Sequence, residues 1–383
     1  MPRMMVCALL ALPALLACAG CGGPAPSPED DGRFKATPVR PRPPLQPLAE
    51  APPGRLQVEV FDLGGRGEAA LVRCPCPGGP HRLLIDAGAA ESAEVGGEER
   101  FRRALEARLP AGQGLDVLVV THEDPAHLGG VPWLLGRGPV GLYVDNGRTA
   151  RGDAVWEACE QALAEHPPAW YLDVRRAGGS VLDVDFCPRA DVGAEVLRFP
   201  GFGHSRFADE ASVIVRVVHG EAVALFMGDA GREEEQALLR QPDVRARLRC
   251  DLLKAGNGGD RSSSTAELLE VARPRLAAIA CPPPAQGLNR HLGHPHKVVL
   301  DRLGRSLDPR PGGAVTVRAC DDEAAPPPAT DELGDPIEVE GMIAEDDWSG
   351  AWVPVSLERG VWLTAGGGDL RFESDGMRFS PLP

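Results

Sequence analysis

Residues 115–130 read LDVLVVTHEDPAHLGG, and this stretch constrains the fold more tightly than any other. The apolar run from Leu115 to Val120 has the length and β-branched content of a buried strand, and it stops at Thr121-His122. A short loop then closes on a second histidine, His127, followed by Leu-Gly-Gly. A strand that ends at His122 and turns into a helix near His127 aims both imidazoles at one point beyond the strand end. Metal sites on α/β sheets are built this way. Two imidazoles do not complete a site, so other strand ends must supply the remaining donors.

The flanking sequence supplies such ends. LQVEVFDL and AALVRC alternate as strands do, and RLLIDAG is an apolar strand ending in Asp86-Ala-Gly. ERFRRALEARL is an amphipathic helix. Further strands are predicted at VGLYVD, YLDV, EVLRF, SVIVRVV, AVALFMGD, DLLKAG and RLAAIAC. Helices are predicted at DAVWEACEQALAEH, REEEQALLRQPDVRARL, TAELLEVARP and HKVVLDRLGRSL. Strands dominate with helices interspersed, which predicts an α/β domain over residues 55–320: two sheets face to face with helices outside. Residues 321–383 begin as an acidic, Pro-rich linker and end in alternating segments around Gly366–Gly368 and Asp375-Gly376. They predict a small C-terminal β appendage with Trp348, Trp352 and Trp362 as its core.

The first 17 residues combine Arg3, a short apolar run and small residues, and so read as a signal peptide too short to span a membrane. Leu15-Leu16-Ala17-Cys18 looks like a bacterial lipobox, with Cys18 the lipidated residue and Cys21 the alternative; an ordinary secreted protein cleaved near Ala19 is the other reading. No Asp follows either cysteine, which points to an outer-membrane lipoprotein. Residues 18–54 read as a disordered tether; within 22–54, rich in Pro, Ala and charge, about 30 residues at about 3.1 Å each could reach up to ~90 Å. The membrane is thus a partner through the lipid anchor. A formal net charge of −15 argues against capture of nucleic acid or of an anionic membrane face. Seven cysteines lie beyond Cys21, so at least one is unpaired unless Cys21 is retained with a free thiol. Cys74-Pro-Cys76 is either a metal or redox pair, or two small residues at a hairpin tip.

The histidine stretch resembles the metallo-β-lactamase superfamily, whose signature there is His-x-His-x-Asp-His. In this chain the six positions are His122, Glu123, Asp124, Pro125, Ala126 and His127. Over roughly residues 57–303 the resemblance is to the metallo-β-lactamase domain of ComEC-type DNA-uptake proteins. Asp62-Leu-Gly-Gly-Arg-Gly-Glu68 is similar to that family's Asp-Val-Gly-Gln-Gly-Asp, and Ile85-Asp86-Ala87-Gly88 to its Ile-Asp-x-Gly. Ser212-Val213-Ile214-Val215 leading to Gly228-Asp229 resembles its Ser-Leu-Val-Leu strand and Gly-Asp. Leu253-Lys254 through Asp260 follows its Leu-Lys-x-x-His-His-Gly-Ser frame, with Asn257 and Gly258 at the two histidines. Asn289 through Gly293-His294-Pro295-His296 is similar to its Asn-x-x-Gly-His-Pro-His.

What the resemblance implies is a four-layer αββα sandwich carrying a metallo-hydrolase site. Its metal ligands would be His122, Asp124, His127, Asp229 and His294, with His204 a further candidate because Gly203-His204-Ser205 is similar to a Gly-His-Thr block in other branches. Asp124 is also the candidate catalytic carboxylate. Asp62 and Asp86 would orient the ligands from behind. Ala126 cannot bind a metal, and with Asn257 and Gly258 it removes up to three contacts from a two-ion centre. One Zn or Mn ion, or none, is expected. The other histidines (His81, His166, His219, His291 and His296) read as surface or capping residues. Ser262–Ser264 with Arg261 reads as a phosphate site or, the favoured alternative, as the cap of the helix that follows Thr265. Two functions are therefore carried forward. One is an envelope-anchored hydrolase-like lipoprotein with an eroded site, capable at most of weak or one-metal cleavage of a phosphodiester, ester or lactam. The other is a non-catalytic module that binds a small molecule or an envelope protein.

Overall fold

In the computed structural model of the chain, the described residues are 54–65, 67–90, 96–147, 153–198, 212–284, 289–321 and 351–383. The signal peptide, Cys18, Cys21, the tether, His204 and Trp348 lie outside them.

The first sheet contains β1 (Leu56–Val60), β2 (Ala70–Cys74), β3 (His81–Ile85), β4 (Leu115–Val119), β5 (Val140–Asp145) and β6 (Trp170–Asp173). The second contains β7 (Val181–Asp183), β8 (Val192–Leu197), β9 (Ile214–His219), β10 (Ala222–Phe226), β11 (Leu252–Lys254) and β12 (Leu276–Ile279). Neighbouring strands run antiparallel from β1 to β3 and parallel from β3 to β6. In the second sheet β7 to β10 are antiparallel, and β10 to β12 parallel.

Residue alternation explains the layering. In β4, Val117 and Val119 join the core between the sheets, while Leu118, and Val120 just past the strand, join the cluster beneath the outer helices. The same split puts Ala222, Ala224 and Phe226 of β10 inside, and Val223 and Leu225 outside. Both faces of these strands are covered, so they read as nearly continuous apolar runs. Each fully buried Leu, Val or Phe contributes about 1.5–3 kcal/mol of transfer free energy.

Outside the first sheet lie α1 (Gly97–Glu106), α2 (Pro125–Leu128), α3 (Val131–Arg137) and α4 (Ala154–Glu165), packed through Phe101, Leu105, Leu128, Leu134 and Leu163. Outside the second lie α5 (Arg232–Arg240), α6 (Pro242–Arg245), α7 (Ala266–Ala272), α8 (Asn289–Leu292) and α9 (Lys297–Gly304), with Leu238, Leu268 and Leu300 buried against it. The result is the four-layer sandwich expected from the sequence. The Ser-rich run is used as a cap: Thr265 accepts from the Leu268 amide at 3.3 Å. Buried Glu235 in turn accepts from the amides of Ser264 (2.6 Å) and Thr265 (2.8 Å).

The small C-terminal strands are present, and most of them pair with the main sheets. β13 (Val315–Asp321) and β14 (Ala351–Leu357) make a separate ribbon. However, β15 (Val361–Leu363) adds to β12 in parallel, while β16 (Leu370–Ser374) pairs with β1 and with β17 (Phe379–Leu382). Without them β1 and β12 would be open edges. Trp362 accordingly packs on the inter-sheet core, its ring edge-on to Phe372 at 5.8 Å.

Candidate metal centre

The carboxyl ends of β3, β4 and β10 meet at one place. Just past β3, Asp86 is held in the left-handed region, at φ 61°. That conformation is costly outside glycine, and here it turns the carboxylate back onto the end of β4. Asp86 Oδ1 accepts from the Thr121 amide at 2.7 Å, and Oδ2 from the Thr121 hydroxyl at 3.0 Å. His127 Nδ1 donates to the same Oδ2 at 3.0 Å. His122 Nδ1 faces Thr121 Oγ1 at 3.1 Å and Ser212 Oγ at 3.4 Å.

These contacts use the Nδ1 atoms and turn both Nε2 atoms toward Asp229, which follows β10. His127 Nε2 lies 3.1 Å from Asp229 Oδ2, and His122 Nε2 lies 3.9 Å from it. The imidazoles are buried, while the Asp229 side chain keeps 17% of its exposure. The short helix carrying His127 is clamped by backbone bonds from Ala87 to His127 (2.7 Å) and from Glu68 to Ala126 (3.1 Å). Gly129 makes the clamp sterically possible, because a Cβ there would stand 1.9 Å from the Ala90 nitrogen.

Within the cluster, the Asp229 carboxylate and the His127 imidazole shift one another strongly. Burial alone would lower the His127 pKa, but the carboxylates of Asp229 and Asp86 reverse this and raise it well above the usual value. Burial opposes ionisation of Asp229, yet His127, His122 and Lys254 hold its carboxyl well below the usual range. Asp229 Oδ1 is buried without a hydrogen-bond partner among the described residues. That orphaned oxygen is the test of fit, because a buried carboxylate oxygen normally has a partner. Two imidazole nitrogens and a carboxylate oxygen, all within 4.8 Å of one another, suit a Zn-like ion after a small contraction.

Beside them stands a pair that the sequence reading did not single out. Glu68 and Lys254 form an ion pair across the two sheets, and Lys254 Nζ lies 3.4 Å from the Gly228 carbonyl. Burial pushes the Glu68 carboxyl up to about 7 against the pull of Lys254. A charged residue inside the apolar strand DLLKAG was the available signal.

The other predicted residues have other partners. The Asp124 carboxylate caps α2, accepting from the Ala126 amide at 2.6 Å. Pro125 has no N–H, so Ala126 offers the first amide that needs a cap. Asp62 accepts from the amides of Gly64 (2.9 Å) and Gly368 (2.8 Å), tying its loop to the C-terminal segment rather than backing a ligand. His294 groups with Asp260 and His296, its Nε2 3.5 Å from Asp260 Oδ2. Gly258 shows what the lost histidine position has become. It sits at φ 54°, and a Cβ there would meet His294 Nδ1 at 2.8 Å.

A sandwich of this layering with a His-His-Asp cluster at its strand ends defines a class, and comparison with known sequences agrees. The profile of the metallo-beta-lactamase superfamily matches residues 64–282, more than half of the chain, and the chain belongs to that superfamily. Among characterised proteins, ComE operon protein 3 of Bacillus subtilis (strain 168) is 28% identical over 259 residues, in keeping with the ComEC-type blocks. The match covers 65% of this chain but only 30% of that relative. Solved structures that resemble the chain include the short form of human tRNase Z, at 16% identity and TM-score 0.34 over 58% of this chain and 91% of that one. Another is the metallo-beta-lactamase fold protein YhfI from Bacillus subtilis, at 13% identity and TM-score 0.35 over 58% and 84%.

Proposed function

We propose that this chain is a one-metal, hydrolase-like member of the superfamily with an eroded two-ion site. The observation that carries the reading is the convergence of His122, His127 and Asp229, with Asp86, Thr121 and Ser212 fixing the imidazoles from behind. Three protein donors leave room for a further ligand, as in catalytic rather than structural sites. A divalent ion bound there would supply Lewis acidity for attack by water. The chain's own residues orient the ligands and hold Asp229 ionised. Among the described residues no second set of donors groups with them: Ala126 has none to offer, one Asp124 oxygen accepts from an amide, and Asn257 and Gly258 stand at the two histidine positions. At most slow cleavage of a phosphodiester, ester or lactam follows, and the charge of −15 disfavours nucleic acid as the substrate.

The use of one Asp124 oxygen in its helix cap favours a second reading, a non-catalytic module that binds a small molecule or envelope protein on the same scaffold. Loading the protein with Zn or Mn and assaying chromogenic phosphodiester, ester and lactam substrates separates the two. Slow turnover that disappears in Asp229→Asn supports the hydrolase; a tightly bound ion without turnover supports the binding module. A protein that takes up neither metal would sink the hydrolase reading and leave the binding module. For its location we propose lipid anchoring at Cys18, or alternatively Cys21, in the outer membrane. The described residues contain no helix long and apolar enough to cross a membrane. Release from the membrane fraction in Cys18→Ser or Cys21→Ser identifies the anchor; release in neither variant rejects it.

A further inference from the structure

Away from the metal centre, three sulfurs meet at the other end of β2. Cys74, the last residue of that strand, is disulfide-bonded to Cys187 in the connection between β7 and β8. The bond joins the two sheets through the core between them and spans a sequence separation of 113 residues. Cys76 Sγ stands 3.7 Å from Cys187 Sγ and 3.9 Å from Cys74 Sγ. Cys74 and Cys187 are buried, whereas Cys76 is half-buried. The other free cysteines among the described residues (Cys159, Cys250, Cys281 and Cys320) are all buried.

We infer that Cys74, Cys76 and Cys187 form a thiol–disulfide exchange site in which Cys187 is the shared partner and Cys76 the port to solvent. Exchange requires a thiolate within reach of a disulfide sulfur and in line with the bond to the leaving sulfur; the three sulfurs stand as a triangle, so the Cys76 side chain must first swing to the far side of Cys187. The Cys76 thiolate attacks Cys187 Sγ, the Cys187–Cys74 bond breaks, and Cys74 leaves as a thiolate that takes up a proton. No net oxidation occurs, and the sheets stay stapled. In the exchanged form the bond ends at a half-buried sulfur, which an external dithiol can attack. The external thiolate bonds to Cys76 and Cys187 leaves. The second external thiol then displaces Cys76, so the dithiol ends oxidised and the protein gains two electrons and two protons. Burial raises the Cys76 pKa while the nearby Arg189 guanidinium opposes this, and Asp116 and Asp191 add to the rise. Exchange is therefore best followed at mildly alkaline pH.

The test uses the full chain, purified without reductant, then acid-quenched, alkylated and mapped by peptide mass spectrometry. The label is expected on both Cys74 and Cys76, and Cys74→Ser should form a Cys76–Cys187 disulfide. A dithiol such as dithiothreitol should reduce the wild-type staple about ten-fold or more faster than that of Cys76→Ser. Label confined to Cys76, with equal reduction rates in the two proteins, would overturn the proposal, and neither readout needs Cys74→Ser to fold. A zinc ion held by three thiolates, with no disulfide present, would overturn it as well.

Discussion

His122, His127 and Asp229 on one side, and His294, His296 and Asp260 on the other, offer the same inventory of two imidazoles and a carboxylate. They differ in which atoms the chain has already used. In the first group the Nδ1 atoms are held from behind, the Nε2 atoms face the carboxylate, and one oxygen of that carboxylate has no hydrogen-bond partner among the described residues. In the second, Asp260 Oδ1 accepts from the Ser262 amide at 2.7 Å and from its hydroxyl at 2.6 Å. His296 Nε2 donates to the Leu292 carbonyl at 3.1 Å, besides lying 3.4 Å from Asp260 Oδ2. Burial works against ionisation of Asp260, but His294, His296 and Ser262 together hold its pKa well below the usual range. The second group is a polar network that fastens α8 and α9 to the loop after β11; in the first, His127 Nε2 already meets Asp229 Oδ2 at 3.1 Å, and it is Asp229 Oδ1 that is left without a partner among the described residues. Residue type at the right place is thus insufficient evidence of a ligand.

Substitutions in the two groups should therefore separate metal binding from stability. The largest difference is expected between Asp229→Asn and Asp260→Asn in competition titrations against a metallochromic chelator. The first should weaken Zn affinity by about 100-fold or more, since it removes a ligand outright. Asp260→Asn should leave affinity unchanged, and a comparable loss there would make the two groups one site. Next comes Asp86→Asn, expected to lower affinity by about 10–100-fold while one ion still binds at saturating metal. Calorimetry showing no change would mean that His127 needs no backing carboxylate. Asp260→Ala should cost about 1–3 kcal/mol in urea unfolding, because it strands the amide and hydroxyl of Ser262 and two buried imidazoles. The smallest effect belongs to Ala126→Asp, which restores one donor while Asn257 and Gly258 still lack theirs. It should raise metal uptake slightly without creating a second tight equivalent.

The parts legible in the sequence were the locally encoded ones. The strand 115–120 with His122 and His127 follows from one stretch of residues, and its alternation assigns an inner and an outer face. Asp229 needed the order of family blocks, since nothing within Gly228-Asp229 itself marks a ligand. For Asp124 the sequence could not separate ligand from cap, because a carboxylate on a loop serves equally as either; in the structure one of its oxygens caps α2. His294 sits in the expected block, but Asp260, where the family frame has Ser, gives its ring a carboxylate partner at 3.5 Å that the block alone does not announce. Contacts between distant segments left no local trace. Glu68 meets Lys254 across 186 positions, and β16 pairs with β1 across more than 300. Such pairings depend on which sheet edges remain open, and that is a property of the assembled fold.

The central claim is that a single ion is held by His122, His127 and Asp229. Its most direct test is elemental mass spectrometry of the full chain, purified without chelators, beside His127→Ala and His294→Ala. One Zn or Mn per chain is predicted for the wild type and for His294→Ala, and none for His127→Ala. No ion in the wild type after incubation with excess Zn and Mn, or equal loss in both variants, would contradict it.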